Sequence, residues 1–437
     1  MSHTLIFDIG KTNKKCFVFD KDLSVVYQDS ITFDEIDDDD GFPCDDLQVI
    51  EKWIKNKIID LFSDKQFDIK KINFSTYGAS LVHVDENGKP ITPLYNYLKP
   101  YPDEVLHLFH EKYGVAHTIE KETASPISGM LNSGLQLFWL KNAKPEIYKK
   151  TKWSLHFPQY LSYLYTGVAF SDYTSVGCHT SLWDYQKKDY HDWVYQERIN
   201  EKLAPLISSN VKIEKTFLGK KFAFGVGVHD SSAALYPYIS STKKPFVLLS
   251  TGTWNVTLNP FNKEMLTDNE LKNDCLNYMK IDGEPVRASR IFLGNEHALQ
   301  VEKLNRFFGK TSDYYKNIKV DDQLVLEMKT VQENKFCFEN VDNQTFMEGL
   351  SDLFFFESYE AAYHRLMIEL IGLQIKSTEM AIGSLKNYIL LIEGGFAKND
   401  LFRALISEKL PVSDLNDFES PIGPELGAAI LVNRNEP

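Results

Sequence analysis

Two segments of the chain place small residues at a turn between two strand-like runs, a pattern that can hold an anion. A tight hairpin of this kind points backbone N–H groups at one place, where they can bind phosphate oxygens. Short motifs also match by chance, so an ordinary hairpin with a solvated tip stays open for each segment. The turns fall in LIFDIGKTNKKCFVFD at 5–20, with Gly10, Lys11, Thr12, Asn13 and Lys14, and in LLSTGTWNVTL at 248–258, with Thr251, Gly252 and Thr253.

Two aspartates stand where strand-like runs end. Asp8 lies beside the first turn, where a carboxylate is placed to hold Mg²⁺ through water. Asp230 follows His229 in GVHDSSAALYP, at the start of a helical pattern. A carboxylate there can accept a proton from a substrate hydroxyl. From this stretch alone, a helix N-cap is the favoured interpretation of Asp230, and His229 is more typical of a packed histidine.

A third kind of segment, ILLIEGGFAKNDLFRALISEKLP at 389–411, joins a buried strand to a helix through two glycines. Asn399 is placed to cap that helix, and Pro411 ends the segment. Gly394 and Gly395 allow a flat group, such as an adenine ring, to lie against the backbone. The alternative is a tight strand-to-helix turn without a ligand.

The elements that position these residues occur twice in a similar order. Strand-rich stretches open at the N-terminus and again at Pro245, and each is followed by helical patterns. Helices are predicted from Asp46, over much of 100–215, over about 350–383 and around GAAILV near the end. We therefore predict two α/β domains of similar plan, at 1–240 and 241–437, with residues 240–245 as the linker.

Composition narrows the class of protein. The formal net charge is −13, from 48 Lys and Arg against 61 Asp and Glu, which disfavours a nucleic-acid partner but leaves room for a local phosphate pocket. The five cysteines form no C-x-x-C pair, which suits a reducing cytoplasm and excludes the usual zinc spacing. The first residues lack a signal peptide, and no run reaches the roughly 18–20 apolar residues of a membrane span. We expect a cytoplasmic enzyme without a membrane partner.

The order of the motifs along the chain, rather than any one of them, resembles the FGGY family of carbohydrate kinases. LQLFWLKNAKPE at 135–146, YLSYLYTG with SDYTSVG at 160–177, and PELGAAI at 424–430 also resemble segments of that family. The resemblance covers nearly the whole chain. It implies an α/β fold of two actin-like, ribonuclease-H-like ATPase domains around a central cleft, with ATP and Mg²⁺ as cofactors and a small sugar as substrate.

The resemblance also implies a role for each matched residue. Asp230 is the general base that takes the proton of the sugar hydroxyl as that hydroxyl attacks the γ-phosphate. Asp8 and Asp230 are the expected magnesium residues. The expected nucleotide site comprises Gly10, Lys11, Thr12, Asn13, Lys14, Thr251, Gly252, Thr253, Gly394, Gly395, Phe396 and Asn399.

The segment that binds the sugar in this family is where the sequence departs most from the family pattern. Many members grip the sugar with a Trp-x-Asp-x-Arg segment, whereas PLYNYLKPY at 93–101 lacks that Asp and Arg. STYGASLVHVDENGKPITPLYNY at 75–97 resembles L-rhamnulose kinases, with Ser80 in place of an aspartate. We expect a 6-deoxy-ketohexose such as L-rhamnulose or L-fuculose, phosphorylated at its primary hydroxyl. The expected sugar contacts are Tyr77, Ser80, Asn96, His156 and Asp230.

Three alternatives stay open at this point. The protein can be a pentulose kinase acting on xylulose or ribulose, or another actin-fold ATPase such as an exopolyphosphatase. It can also be a catalytically inactive sugar sensor, which the altered sugar segment allows and the intact Asp8 and Asp230 oppose. A homodimer is the expected assembly.

Overall fold

The computed structural model of the protein describes residues 2–114, 117–339, 341, 351–413 and 423–434. Within these ranges, none of the helices has the length and apolar character needed to cross a membrane.

The strands of the first part of the chain are β1 Ser2–Ile9, β2 Lys14–Phe19, β3 Val25–Ile31, β4 Ile36–Asp37, β5 Pro43–Cys44, β6 Asp68–Thr76, β7 Leu81–Val84, β8 Trp153–His156, β9 Ser171–Asp172, β10 Trp183–Asp184, β11 Asp189–Tyr190, β12 Leu206–Ile207, β13 Lys212–Phe217, β14 Lys220–Gly225 and β15 Val228–His229. Its helices are α1 Leu47–Ser63, α2 Asp103–Tyr113, α3 His117–Thr123, α4 Ser133–Ala143, α5 Pro145–Lys150, α6 Phe157–Thr166, α7 Tyr173–Val176, α8 Asp192–Gln196 and α9 Asp230–Ser241.

The second part of the chain has fewer strands and longer helices. Its strands are β16 Phe246–Thr251, β17 Asn255–Asn259, β18 Cys275–Met279, β19 Pro285–Ile291, β20 Ile389–Gly394 and β21 Val412–Ser413. Its helices are α10 Asp268–Lys272, α11 Leu293–Phe308, α12 Asp322–Thr330, α13 Tyr359–Ile382, α14 Asp400–Ser407 and α15 Pro424–Asn433.

Two mixed sheets repeat one plan. The first has seven strands, in the order β13-β14-β6-β1-β2-β3 with β15 also paired to β6, and the second has six, in the order β18-β19-β17-β16-β20-β21. In the first sheet, β1 and β2 form an antiparallel hairpin and β6 lies parallel to β1. In the second sheet, β16 and β17 form the hairpin and β20 lies parallel to β16. Both expected phosphate turns therefore close a hairpin at the start of a sheet.

Helix α1 shows how local sequence builds the first core. Asp46 caps the helix by accepting hydrogen bonds from the backbone N–H groups of Gln48 and Val49. Its apolar residues recur at helical spacing and are buried, and the ring of Trp53 meets Phe7 of β1 edge to face at 5.6 Å. The core on this face fixes β1, and with it the position of Asp8.

The last helix of the structure, α15, packs on the first sheet rather than on the second. Its apolar residues join Ile6 of β1 and Phe17 of β2 in one buried cluster, together with residues of α9. Near its end, the Asn433 amide donates to Thr4 Oγ1 and its oxygen accepts from Lys71 Nζ. The predicted domains at 1–240 and 241–437 stay a prediction, and the later segment contributes this helix to the earlier sheet.

Glycine at position 427 allows α15 to touch α9, and we expect Gly427→Ala to destabilise the protein. A Cβ at this position would lie 1.8 Å from the carbonyl oxygen of Ala233, so the two helices would have to separate. Overpacking of this kind costs about 1–3 kcal/mol in the free energy of unfolding, measurable by urea denaturation. The control is Gly372→Ala in α13, where a Cβ meets nothing within 4 Å. That change should stabilise the helix by up to about 1 kcal/mol, and equal effects of the two changes would contradict the prediction.

The structure corrects three boundaries expected from the sequence. Ser240 and Ser241 belong to α9, because their hydroxyls donate back to the Pro237 carbonyl, so the predicted linker begins only at Thr242. The helix expected from about 350 begins at Tyr359, where the Ser358 hydroxyl caps it, and residues 342–350 lie outside the described ranges. His229 is the N-cap of α9, so the interpretation of Asp230 as the cap is wrong.

Candidate functional site

The first hairpin leaves Thr12 and Asn13 exposed at its tip, and the Gly10 N–H closes the turn on the Asn13 carbonyl at 3.0 Å. The two lysines of the turn are occupied by acids. Lys11 Nζ lies 2.7 Å from Glu35 and 2.9 Å from Asp45, and the buried Lys14 Nζ lies 2.7 Å from Asp45. The phosphate-binding role of both lysines stays a prediction, and the structure shows each of them engaged in an internal ion pair.

Beside this hairpin, the carboxylates of Glu425 and Asp230, from two other elements, act electrostatically on Asp8. Burial first, and the negative charges of Glu425 and Asp230 next, raise the pKa of Asp8 on β1 to about 7. Burial also raises the pKa of Glu425, at the first turn of α15. Like charges held together favour a bound cation, and oxygen ligands suit Mg²⁺. The residues present therefore fit the magnesium ion expected at Asp8, and Glu425 is a member of the group that the sequence did not assign.

Asp230 is the first residue of α9, and its side chain is 30% exposed. Its Oδ1 atom accepts from the Ser231 N–H and lies 3.2 Å from His229 Nε2. In the described part of the chain, Oδ2 has no hydrogen-bond partner, which leaves it able to accept a proton. Burial lowers the pKa of His229, which favours the neutral ring, and the Nε2 atom of that ring forms a hydrogen bond with Cys178 Sγ at 3.0 Å rather than with the carboxylate.

The second hairpin lies directly against the glycine turn. Thr251 pairs with Gly394 in the sheet, and its hydroxyl donates to the Glu393 carbonyl and accepts from the Phe396 N–H. Gly394 has φ of 84°, and a Cβ there would lie 1.9 Å from the Thr251 carbonyl oxygen, so no other residue fits this contact. The structure thus brings together the two segments that were expected to hold the nucleotide.

A cavity of about 720 Å³ opens beside these turns. Gly252, Gly395, Phe396 and Asn399, all expected nucleotide residues, are on its wall. Asn399 caps α14 through the Phe402 N–H, and its amide donates to Tyr363 Oη at 2.9 Å. The size is within the usual range for small-molecule sites. The sequence missed the opposite wall, which α11 supplies with Gly294, His297, Ala298, Val301, Glu302 and Asn305.

Besides Asp230, the four other residues expected to contact the sugar divide into two pairs. Tyr77 Oη donates to Asp45 at 2.7 Å, and the Asn96 amide donates to the Pro43 carbonyl, so both side chains have structural partners. Ser80 and His156 lie side by side, because the Phe157 N–H donates to the Ser80 carbonyl. Their Oγ and Nδ1 atoms are buried without a hydrogen-bond partner in the described residues.

Gln136, where lysine is usual in the family's signature, joins the second pair. Its amide donates to the Ala79 and Met130 carbonyls, while its Oε1 atom is buried without a partner in the part of the chain described. Burial, together with the nearby His229, lowers the pKa of His156 to about 3, so this ring is neutral at physiological pH. The region behind the base therefore holds three neutral polar atoms that a ligand could satisfy.

Residues 3–232, more than half of the 437, match the N-terminal domain of the FGGY family of carbohydrate kinases. A rhamnulokinase of Halalkalibacterium halodurans is 25% identical over 273 residues, which span 59% of this chain and 56% of that protein. A gluconokinase of Bacillus subtilis is 27% identical over 170 residues, which span 37% of this chain and 31% of that protein. The crystal structure of a carbohydrate kinase from Novosphingobium aromaticivorans has a TM-score of 0.78 at 21% identity, over 99% of this chain and 92% of that one.

These likenesses confirm the expected fold class, α/β with two actin-like, ribonuclease-H-like domains. The chain belongs to the FGGY family of carbohydrate kinases. It spans 56% of the length of that rhamnulokinase and 31% of the length of that gluconokinase.

Proposed function

We propose that the protein transfers the γ-phosphate of ATP to the primary hydroxyl of a ketose. The observation that carries this proposal is Asp230, whose Oδ2 atom has no hydrogen-bond partner in the described structure and whose Oδ1 atom accepts from the Ser231 N–H and hydroxyl. The proton of the sugar hydroxyl passes to Oδ2 as the hydroxyl oxygen attacks phosphorus. Phosphoryl transfer requires positioning and charge neutralisation more than covalent chemistry.

The nucleotide is proposed to bind across the second sheet. Adenosine would occupy the cavity between α11 and the turn at Gly394–Gly395, while the phosphates reach the turns at Gly252–Thr253 and Gly10–Asn13. Asp8 and Asp230 would hold the magnesium ion, with Glu425 beside them. When bound, Mg²⁺ neutralises phosphate charge. Burial of Asp8 and its acidic neighbours supports a cation at this position.

Filling the cavity should abolish nucleotide binding without unfolding the protein. Ala298 is an exposed residue on the cavity wall, so Ala298→Trp places an indole ring where adenosine is proposed to lie. We expect the Kd for Mg-ATP, measured by calorimetry, to rise at least about 100-fold, equivalent to about 2.7 kcal/mol. Arg306→Trp is the control, because Arg306 lies on the same helix, is exposed and is not on the cavity wall. Equal affinity in the two variants would place the nucleotide elsewhere.

The substrate we favour is a neutral ketose rather than a sugar acid. The three unpartnered polar atoms near the base belong to Ser80, Gln136 and His156, none of which carries charge at neutral pH. Such atoms match hydroxyl groups, whereas a carboxylate calls for a cationic partner. They are enclosed in this structure, so we expect them to meet the sugar when the cleft opens. Together with the resemblance at 75–97, this supports a 6-deoxy-ketohexose such as L-rhamnulose or L-fuculose.

The deciding experiment is an ADP-release assay with Mg-ATP. The acceptors compared are L-rhamnulose, L-fuculose, D-xylulose, D-ribulose, L-ribulose, D-gluconate and glycerol. Preference for L-rhamnulose or L-fuculose supports the proposal in full. Preference for a pentulose keeps the mechanism and replaces the substrate, and preference for gluconate contradicts the argument from neutral polar atoms. Binding of ATP without transfer to any sugar would favour the inactive sensor. The cytoplasmic location, the homodimer and the domain bounds remain predictions.

A further inference from the structure

Arg290 brings a guanidinium to the region of the proposed base from the second sheet. It lies on β19, and its Nε and Nη2 atoms donate to Asp274 at 2.9 and 2.7 Å, a bidentate pair. The Nη1 atom, which carries two N–H groups, has no hydrogen-bond partner in the described ranges. The side chain is 18% exposed, so it is neither fully enclosed nor free in solvent.

The neighbours of Arg290 show where the guanidinium lies. On one side its central carbon is 5.9 Å from the ring of Trp254, which directly follows the second phosphate turn. On the other side are Cys178 and Tyr278: burial raises the pKa values of both groups, and the charge of Arg290 partly opposes that rise. Cys178 Sγ lies 3.0 Å from His229 Nε2, and the Tyr278 ring lies 5.4 Å from the His229 ring. Arg290 therefore lies beside Trp254 and close enough to Cys178 and Tyr278, the two neighbours of His229, for its charge to act on them.

The guanidinium is held in place before any ligand binds. Asp274 fixes two of its nitrogen atoms, and Trp254, itself packed on Phe292 at 4.5 Å, lies beside its plane. Trp254 is 48% exposed although it is a large apolar residue, as a wall of a ligand site would be. Fixed donors directed at a place where negative charge develops stabilise a transition state without a cost of reorganisation. An arginine stays charged at all physiological pH values.

A second arginine on the same strand shows what a purely structural guanidinium looks like here. Arg287 is fully buried, and all three of its nitrogen atoms have protein partners: Asn277, Glu270 and the Glu264 carbonyl. Arg290 differs in two respects. One of its nitrogen atoms has no hydrogen-bond partner in the described residues, and its charge acts on Cys178 and Tyr278, which lie beside His229. Stabilising the sheet accounts for Arg287 but leaves Nη1 of Arg290 without a role.

We propose that Arg290 is a catalytic residue that contacts the phosphoryl group during its transfer, through Nη1. This inference rests on the proposed kinase function. In the step, the bond from the sugar oxygen to phosphorus forms while the bond from phosphorus to the bridging oxygen of ADP breaks. ADP leaves with that electron pair, and the hydroxyl proton passes to Asp230. Arg290 forms no covalent bond and neutralises charge on the phosphoryl oxygens.

The test compares Arg290→Gln with Arg287→Lys, on whichever sugar the wild-type protein phosphorylates best. We expect Arg290→Gln to lower kcat by about 10³-fold, the lower end of the range for an arginine supplied to phosphoryl transfer. The Kd for Mg-ADP and the KM for sugar should stay within about threefold, since Nη1 acts in the transition state. Arg287→Lys should lower Tm while kcat per folded molecule is unchanged. A kcat of Arg290→Gln within tenfold of wild type, or a loss confined to the KM for sugar, overturns the proposal.

A second measurement separates this proposal from the choice of sugar. Hydrolysis of ATP without sugar uses water as the acceptor but needs the same neutralisation of the phosphoryl group. If no sugar is phosphorylated while wild type hydrolyses ATP and Arg290→Gln does so at least about 100-fold more slowly, the sugar assignment fails and Arg290 stands. If wild type transfers phosphate neither to sugar nor to water, both proposals are overturned. If sugar is phosphorylated normally by Arg290→Gln, only the role of Arg290 is lost.

Discussion

Asp230→Asn should lower kcat by about 10²- to 10⁴-fold, the range for loss of a positioned general base. The amide keeps the shape of the side chain and can still accept at one oxygen, but it cannot take the proton of the sugar hydroxyl. Since Oδ1 accepts from the Ser231 N–H and hydroxyl, and the amide oxygen can accept the same bonds, the fold around the residue should not change. The measurement is steady-state ADP release with the best sugar of the panel.

The chain contains a matched control for this change. Asp192 is also the first residue of a helix, α8, and is also preceded by a histidine N-cap, His191. Its side chain is 63% exposed and pairs with Lys187 on the surface. Asp192→Asn should leave kcat unchanged, because an exposed pair of this kind contributes at most about 1 kcal/mol to stability and lies outside the proposed site. Similar kcat values for Asp230→Asn and Asp192→Asn would remove Asp230 from the mechanism.

Asp8→Asn should stabilise the metal-free protein at pH 8 while it abolishes activity. Burial first, and the charges of Glu425 and Asp230 next, raise the pKa of Asp8 from 3.8 to about 7 in the folded state. Well below pH 4 the Asp8 carboxyl is neutral in both the folded and the unfolded state, so it does not lower the free energy of unfolding. As pH rises from 4 to 7 the unfolded state loses this proton first, and the free energy of unfolding falls. Above pH 7 the cost is constant at up to about 4 kcal/mol, and asparagine removes it.

Urea denaturation between pH 5 and 8, with and without Mg²⁺, checks this prediction. The metal-free wild type should lose stability as pH rises through this window, and the Asp8→Asn variant should lose much less. Mg²⁺ should stabilise wild type at pH 8, because a ligand that binds only the folded state adds to its stability, and should have little effect on the variant. A flat profile for wild type, or equal stabilisation of both proteins by Mg²⁺, would contradict the assignment of Asp8 to a magnesium site.

Features that depend on a short stretch of chain could be predicted from the sequence. The two hairpins follow from strand-like runs on either side of small residues, and both helix caps at Asp46 and Asn399 follow from side chains that accept nearby N–H groups. Gly394 was placed in the nucleotide site for its lack of a side chain, and its contact with Thr251 gives the structural reason. The order of these segments along the chain carried the resemblance to the family, and that resemblance implied the two-domain fold.

Features that depend on distant partners were not accessible from the sequence. Lys14 was expected at phosphate, but its partner Asp45 lies 31 positions away in the chain and becomes a neighbour only in the folded state. Glu425 was overlooked because nothing in PELGAAI indicates that α15 returns to β1. The α11 wall of the cavity has an ordinary amphipathic pattern, which predicts a helix and gives no information about which residues line a pocket.

The return of α15 to the first sheet also bears on how the protein is made. Ile6, Phe17 and the α9 residues that α15 covers are translated before the second sheet, whereas most of that sheet is translated before Pro424–Asn433. While the ribosome builds the second sheet, this apolar face has no covering helix. Contacts so distant in sequence form slowly, and exposed apolar faces invite aggregation in the meantime. The nascent chain should therefore depend on chaperones until α15 emerges, and the carboxylate group of Asp8, Asp230 and Glu425 becomes complete only then.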